Sequence, residues 1–174
     1  MRRWMVPLLA ATAVVAYTAM PAAAAQSVTT TTTFTLSNGT LDITAPPGPV
    51  SLGSVPVGTA TLSGTLGVVS VVDSRGSDPA SWVASVASTD FTSGSHTIPA
   101  ADVSYVSGPL TTTGNNTFAS PTVPALSSTP AEAVTANPGS GNNSATWNPT
   151  LTVTLPSSLA VAGTYTGTLT HTVV

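Results

Sequence analysis

The sequence has 174 residues, of which 32 are Thr and 22 are Ser, while three are Arg, six are Asp or Glu and none is Cys. Charged residues make up 5% of the chain, against about 25% in an average soluble domain. This composition excludes a disulfide scaffold and a charged disordered tail, and it argues against nucleic-acid binding, which needs clustered Lys and Arg. What remains is a nearly uncharged chain rich in Val and Thr, which favour β-structure.

The first 25 residues predict a secretory signal peptide. A positive pair at residues 2–3 precedes a largely apolar run over 6–20, and Ala22–Ala25 form a small-residue cleavage site before Gln26. The alternative is an N-terminal membrane anchor, but ~15 apolar residues are few for a membrane span. We therefore expect a secreted, extracellular protein that begins at Gln26, has no later membrane span and is held at the cell surface non-covalently or released.

Alternation of hydroxyl and apolar residues with a period of two predicts β-strands along the rest of the chain. In Thr164–Val173 every even position is Thr and the odd positions are mostly apolar, which is typical of a half-buried antiparallel strand. In chain order, the predicted strands are Val28–Leu36, Thr40–Thr44, Thr59–Val72, Trp82–Ala87, Val103–Val106, Thr150–Leu155 and Thr164–Val173.

Clusters of Gly, Pro and Asn separate these stretches and predict turns, the longest over 137–143. Residues 108–131 are rich in Pro, Thr and Ser, and they predict a long connection with little regular structure. No stretch after the leader has helical periodicity. We therefore predict an all-β fold: one domain over 26–174, an antiparallel β-sandwich with Greek-key connections.

Two segments resemble a known family of surface domains. The first is Val69–Gly76, which ends in Asp-Ser-Arg-Gly and is followed by the Trp strand Ser81–Ala84; the second is Ala145–Leu151, followed by Ala162–Thr170. Together they are similar to the WxL family, in which an Asp-x-Arg-Gly turn precedes a Trp strand and a hairpin closes the domain. The resemblance implies an extracellular β domain that binds the cell wall, with peptidoglycan as the expected ligand.

Four side chains are candidate ligand contacts: Trp82, Trp147, Tyr165 and His171. Aromatic rings offer apolar faces to sugar C–H groups, and Trp adds an N–H donor. At the family's two Trp-x-Leu positions this chain has Trp82-Val83-Ala84 and His171-Thr172-Val173. The competing interpretation is packing. We favour it for Trp82, leave Trp147 open, and expect the Tyr165 hydroxyl to bond a nearby loop and His171 to be buried or at an interface.

Asp73, Arg75 and Gly76 form a predicted structural turn. Arg75 is the one basic residue after residue 25, and its planar guanidinium suits a carboxylate or backbone carbonyls. We expect it to tie the turn to Asp73, Asp78 or the loop. The alternative, recognition of an anionic wall polymer, is weaker because a single Arg in a negative chain steers ligands poorly.

The residues needed for chemistry are scarce. With two His, no Cys, one Glu and no Gly-x-Ser-x-Gly elbow, we predict no metal site, no cofactor and no enzymatic activity. The leading hypothesis is a non-catalytic surface module whose partners are cell-wall glycan or other surface proteins. The alternative is a self-associating subunit of a surface layer or fibre, because uncharged edge strands such as Thr29–Leu36 can add to a neighbour's sheet.

Overall fold

A computed structural model describes residues 26–156 and 161–174, so the predicted signal peptide lies outside the described residues. The chain divides into two units, 1–35 and 36–174. In the first unit, the described residues 26–35 have no regular secondary structure and are exposed. The second unit contains every strand described below.

Thirteen β-strands and one short 3₁₀ turn, Ala100–Asp102, form in the described ranges, and every strand pairing is antiparallel. The predicted all-β class is therefore confirmed. In chain order the strands are β1 Leu41–Thr44, β2 Thr61–Thr65, β3 Val69–Asp73, β4 Ala80–Ser88, β5 Phe91–Ser93, β6 His96–Ile98, β7 Val103–Val106, β8 Thr111–Thr113, β9 Thr117–Ala119, β10 Ala131–Gly139, β11 Asn143–Trp147, β12 Thr150–Thr154 and β13 Leu169–Val173.

The strands form three main sheets. Sheet A has the order β1-β3-β11-β8, sheet B the order β2-β12-β7 and sheet C the order β13-β4-β10-β9, while β5 and β6 form a separate hairpin. β12 follows β11 after the two residues Asn148-Pro149, so sheets A and B share one continuous stretch of chain.

Two apolar clusters fill the interior, and sheet C contributes to both. One cluster joins Trp82 and Ala84 of β4 to Val69, Val71 and Trp147 of sheet A. The other joins residues of β4 and β10 to sheet B and includes Val86, Ala133, Tyr105, Leu151 and Val153. Because alternate residues of a strand face opposite sides, the inward positions of β3 and β4 are buried and, apart from Asp73 and Ser88, apolar, whereas many of their neighbours are Ser. This layering is consistent with the predicted β-sandwich.

The predicted strand over Thr59–Val72 is wrong in one respect, because the chain forms two strands there that belong to different sheets. Gly67 lies between β2 and β3 with a φ of 97°, a left-handed conformation that L side chains rarely adopt. Its amide donates to Asn148 Oδ1 at 3.1 Å. The alternation changes phase at this glycine, because the inward apolar residue of β2 is at an even position, Leu62, and those of β3 are at odd positions, Val69 and Val71.

The predicted strand over Val28–Leu36 is also wrong. No strand forms over residues 26–40, and the side chains of Val28, Phe34 and Leu36 are 92%, 85% and 85% exposed. A strand needs a neighbour to satisfy its backbone groups, and a period-two pattern indicates only that one face is suited to burial. Thr164–Val173 is similarly shortened to β13.

The connection over 108–131 holds more structure than predicted. It includes β8 and β9, and Val123 forms a bridge with Tyr105. The sequence does not predict β10, which ends at Gly139 and so includes the first three residues of the turn predicted over 137–143. Its register against β4 shifts between Ala136 and Gly139, so Pro138 lies in an irregularity of the ladder where its missing N–H is tolerated. The remaining predicted strands match β1, β4, β7 and β12 to within two residues at each end.

Candidate functional site

Trp82 is the third residue of β4, with 2% of its surface exposed. Its indole Nε1 donates a hydrogen bond of 2.7 Å to Asn143 Oδ1, and Asn143 Nδ2 donates to Asp73 Oδ2 at 3.3 Å. Asn143 and Asp73 are opposite each other in the register of β11 and β3. A chain of buried hydrogen bonds therefore joins sheet C to sheet A.

The turn after β3 completes this network. Arg75 Nε donates to Asp73 Oδ1 and Arg75 Nη2 to Asp73 Oδ2, both at 2.9 Å, while the Arg75 amide also donates to Oδ1 at 3.0 Å. Arg75 Nη2 further donates to the Ser81 carbonyl at 2.8 Å, and Gly76 supplies the positive φ of 63° that the turn requires. We name this network, made of Asp73, Arg75, Trp82 and Asn143, the ionic cluster.

Charge and burial in the ionic cluster act in opposite directions. The hydrogen bond from the Arg75 side chain lowers the pKa of Asp73 below its ordinary value, although burial of this carboxyl opposes the shift. The same bond raises the pKa of Arg75. Asp73 is 1% exposed and is therefore a buried carboxylate at neutral pH whose charge is met by one guanidinium.

Trp147 belongs to a second network, on a different part of sheet A. Its Nε1 donates to the Tyr105 hydroxyl at 2.9 Å, and that hydroxyl lies 3.2 Å from His171 Nε2. The Tyr105 and His171 rings are tilted by 56° with centroids 5.7 Å apart. Because the hydroxyl accepts from Trp147, its own hydrogen is available to His171, which fits a neutral imidazole whose Nε2 is the acceptor. We name these three residues the neutral cluster.

Burial dominates the titration of the neutral cluster. It lowers the pKa of His171, because the imidazolium form loses its hydration, and it raises the pKa of Tyr105 to about 12. Both shifts keep the network uncharged near pH 7, so this region of the core contains no ion that needs a partner.

The four predicted ligand contacts do not form one site. With 2% of each residue exposed, neither Trp82 nor Trp147 offers a ring face to a glycan, and the structure favours packing for both. Tyr165 is half-buried and donates its hydroxyl to the Val161 carbonyl at 3.0 Å. His171 is half-buried and meets Tyr105, as described above. Arg75 is bound within its own turn, as the structural interpretation expected.

Sequence reasoning missed Asn143 and Tyr105, which hold the two indole N–H groups. The alternation within each strand indicates that both side chains face inward, although it does not identify their partners. Asn143 shares the alternate positions of β11 with Ala145 and Trp147, and Tyr105 shares those of β7 with Val103. The run rich in Gly and Asn that ends at Asn143 predicts a turn instead.

The outer face of sheet A is covered with hydroxyl groups. Ser70 Oγ lies 3.1 Å from Thr146 Oγ1, and Thr113 Oγ1 lies 2.8 Å from Ser144 Oγ, each pair directly opposite in the strand register. We define the hydroxyl face by the outward positions of the four strands: Asp42, Thr44, Ser70, Val72, Thr111, Thr113, Ser144 and Thr146.

Other candidate sites offer little chemistry. Across 26–156 and 161–174 no three His, Asp or Glu side chains are close enough to hold a metal ion, and no helix there is long and apolar enough to cross a membrane. An open depression of about 540 Å³ beside β4 and β10 is lined by residues that include one ionisable side chain, Glu132.

Comparison of the chain with protein-family models, with curated proteins and with solved structures finds no match.

Proposed function

We propose that the protein is a secreted, non-catalytic module of the cell surface that contacts neutral cell-wall glycan through the hydroxyl face. The observation that carries the proposal is the set of Ser and Thr side chains paired across sheet A, with one carboxylate and no cation among them. The carboxylate, Asp42, already accepts a hydrogen bond from Thr40 Oγ1.

Hydroxyl groups suit this role because each of them both donates and accepts. Neighbouring strands lie about 4.8 Å apart, so a sheet presents hydroxyls at regular intervals to the hydroxyl and amide groups of a polymer. Single contacts of this kind are weak in water, and retention would depend on many of them along one glycan chain. Peptidoglycan is the polymer that the resemblance to the WxL family implies.

The position of the aromatic residues supports a ligand contact of this kind. The rings of Trp82 and Trp147 are buried, and the Arg75 guanidinium donates hydrogen bonds to the Asp73 carboxylate and the Ser81 carbonyl. A wall contact through stacked rings or through a free cation would require these groups to leave their partners. The hydroxyl face requires no such opening.

Co-sedimentation of the chain from Gln26 to Val174 with isolated cell walls tests the proposal. We expect retention above that of a soluble control protein, and a several-fold decrease for the double variant Thr111→Glu/Thr113→Glu, which places charge on the exposed edge of the hydroxyl face. The matched control is Thr61→Glu/Thr65→Glu on exposed positions of β2 in sheet B, which should be retained like the unmodified chain.

Two results would contradict the proposal. One is no retention of the unmodified chain. The other is equal loss of retention in both double variants, with circular dichroism showing that both are folded, because this would mean that added charge reduces binding wherever it is placed.

A further inference from the structure

The N-terminal segment Val28–Leu36 has the sequence of a strand but none of its contacts. Its odd positions are all Thr, and its even positions include Val28, Phe34 and Leu36. Those three side chains are 92%, 85% and 85% exposed. Isolated exposed apolar residues are common, but these three lie on one face of the segment, interrupted by Thr30 and Thr32, and form a stripe that would be covered if the segment joined a sheet.

The second observation concerns β13, which is an edge of sheet C. One side pairs with β4, and among the described residues no strand pairs with the other side. Val174 and Val83 exchange both backbone hydrogen bonds, at 2.8 and 3.1 Å. Because the direction of these groups alternates in an antiparallel pair, Leu169, His171 and Val173 direct their N–H and C=O groups toward the open side.

The inward side chains of β13 are also incompletely covered. Leu169, His171 and Val173 are all half-buried, whereas the inward residues of the neighbouring β4, from Ala80 to Ser88, are all buried. Leu169 and Val173 pack at the borders of the two apolar clusters. The core therefore thins toward this edge, where β1 lies close to β13 without pairing with it and the outer backbone groups of β13 have no strand partner among the described residues.

We propose that Val28–Leu36 of one copy adds as a strand to the open edge of β13 in a second copy. This goes beyond the proposed wall contact, since it assigns a protein partner to a different surface. Phe34 and Leu36 would cover the half-buried side chains of β13, and the Thr residues of the segment would extend the outward row formed by Thr170 and Thr172.

Length and charge fit this pairing. Nine extended residues span about 30 Å, which is longer than the span of the five residues of β13. Residues 26–37 and 161–174 contain no Asp, Glu, Lys or Arg, so neither surface has the charges that normally keep edge strands apart. The contact joins two different surfaces and is therefore head-to-tail, which produces an open filament unless the rotation closes a ring.

Light scattering coupled to size-exclusion chromatography tests the proposal on the chain from Gln26 to Val174. We expect the average mass to rise with concentration. The variant Val28→Asp/Phe34→Asp should remain monomeric at concentrations at least tenfold higher, because it places charge on the stripe. The control Val57→Asp also adds charge at an exposed apolar residue, 59% accessible, and should associate like the unmodified chain.

The acceptor edge is tested by Val173→Pro, which removes an N–H from the open side and leaves the bonds to β4 in place. If circular dichroism shows that this variant is folded, we expect it to be monomeric on its own, because no copy has an intact acceptor edge. Mixed with the Val28→Asp/Phe34→Asp variant, it should form no species larger than a heterodimer, because only its N-terminal segment and the other variant's β13 can pair. A mass independent of concentration for the unmodified chain, or association of either variant at the unmodified level, would overturn the proposal. Retention of the Val28→Asp/Phe34→Asp variant on cell walls would show that wall binding does not depend on self-association.

Discussion

The ionic cluster and the neutral cluster solve the same problem in different ways. Each has to satisfy the N–H group of a buried Trp, because an indole donor without a partner inside a core destabilises the fold by about 1–3 kcal/mol. Trp82 reaches a carboxylate through Asn143, and Trp147 reaches an imidazole through Tyr105. The first chain ends in a charged pair and the second in groups that are uncharged near pH 7.

The difference indicates which conditions each region withstands. A buried ion pair loses stability sharply when one partner is removed, whereas a neutral network loses one or two hydrogen bonds. The pKa of Asp73 lies below its ordinary value of 3.8, so its contribution is present above that pH and is lost as pH falls through the lowered pKa. The neutral cluster responds at higher pH, through His171.

Arg75→Ala should have the largest effect. It leaves the Asp73 carboxylate, which is 1% exposed, without its charge partner, and we expect the free energy of unfolding to fall by about 3 kcal/mol. Urea denaturation of the chain from Gln26 measures this change. The double variant Arg75→Ala/Asp73→Asn should recover part of the loss, and a double variant less stable than Arg75→Ala would contradict the assignment.

Tyr105→Phe should be the next largest. It keeps the ring but removes the acceptor of Trp147 Nε1 and the partner of His171, at an expected cost of about 2 kcal/mol in the same denaturation experiment. The matched control is Tyr165→Phe, which removes a hydroxyl bonded to the backbone of the exposed residue Val161 and should cost less. Equal losses in the two variants would mean that the buried hydroxyl of Tyr105 contributes no more to stability than the more exposed hydroxyl of Tyr165.

The pH dependence of stability should separate the clusters further. Because burial lowers the pKa of His171, the unfolded chain binds a proton more readily than the native one, and stability should decline as pH falls below 6.5. In His171→Gln this decline should be reduced. His96→Gln is the control, since His96 is exposed, and a decline of the same size in His171→Gln and the unmodified chain would exclude the neutral cluster as its source.

The alkaline limit belongs to the same cluster. The pKa of Tyr105 is raised from 10.0 to about 12, so the native state resists deprotonation and stability should fall as pH rises between these values. Thermal melts between pH 9 and 11, ~1 unit either side of the ordinary Tyr pKa, measure this effect. The melting temperature should decline less with rising pH in Tyr105→Phe than in the unmodified chain. An identical decline in both chains would be the contrary result.

The smallest effect is expected at the surface. Thr152 Oγ1 lies 2.8 Å from Ser63 Oγ across β12 and β2, but water can replace either partner. Thr152→Val should change stability by no more than about 0.5 kcal/mol in the urea experiment. A loss as large as that in Tyr105→Phe would remove the distinction between buried and exposed hydrogen bonds on which the comparison depends.

Local patterns in the sequence predicted the strand type of the fold and the turn of the ionic cluster. Asp73 and Arg75 are two residues apart, so their pairing requires one turn of chain and no knowledge of the topology. The alternation in β4, β7 and β12 was similarly sufficient, because each of these strands has one buried face.

The parts that were missed depend on distant residues. Asn143 meets Trp82 across 61 positions of sequence, and Tyr105 meets His171 across 66, so neither contact has a local signature. β10 was missed because Pro138 and Gly139 indicate a turn, and only the irregular pairing with β4 accommodates them. Conversely, Val28–Leu36 has a clear strand pattern and no strand to pair with among the described residues.

The fork between Arg75 and Asp73 also has a consequence for proteolysis. The sequence contains no Lys, so Arg75 is the one position after residue 25 at which a trypsin-like protease can cut. Such an enzyme must draw the side chain out into its own acidic pocket, but Nε and Nη2 are already bound to a carboxylate and a carbonyl. Cleavage into two fragments at Arg75 should therefore report how often the ionic cluster opens, and the intact chain should persist in trypsin for as long as that turn stays closed.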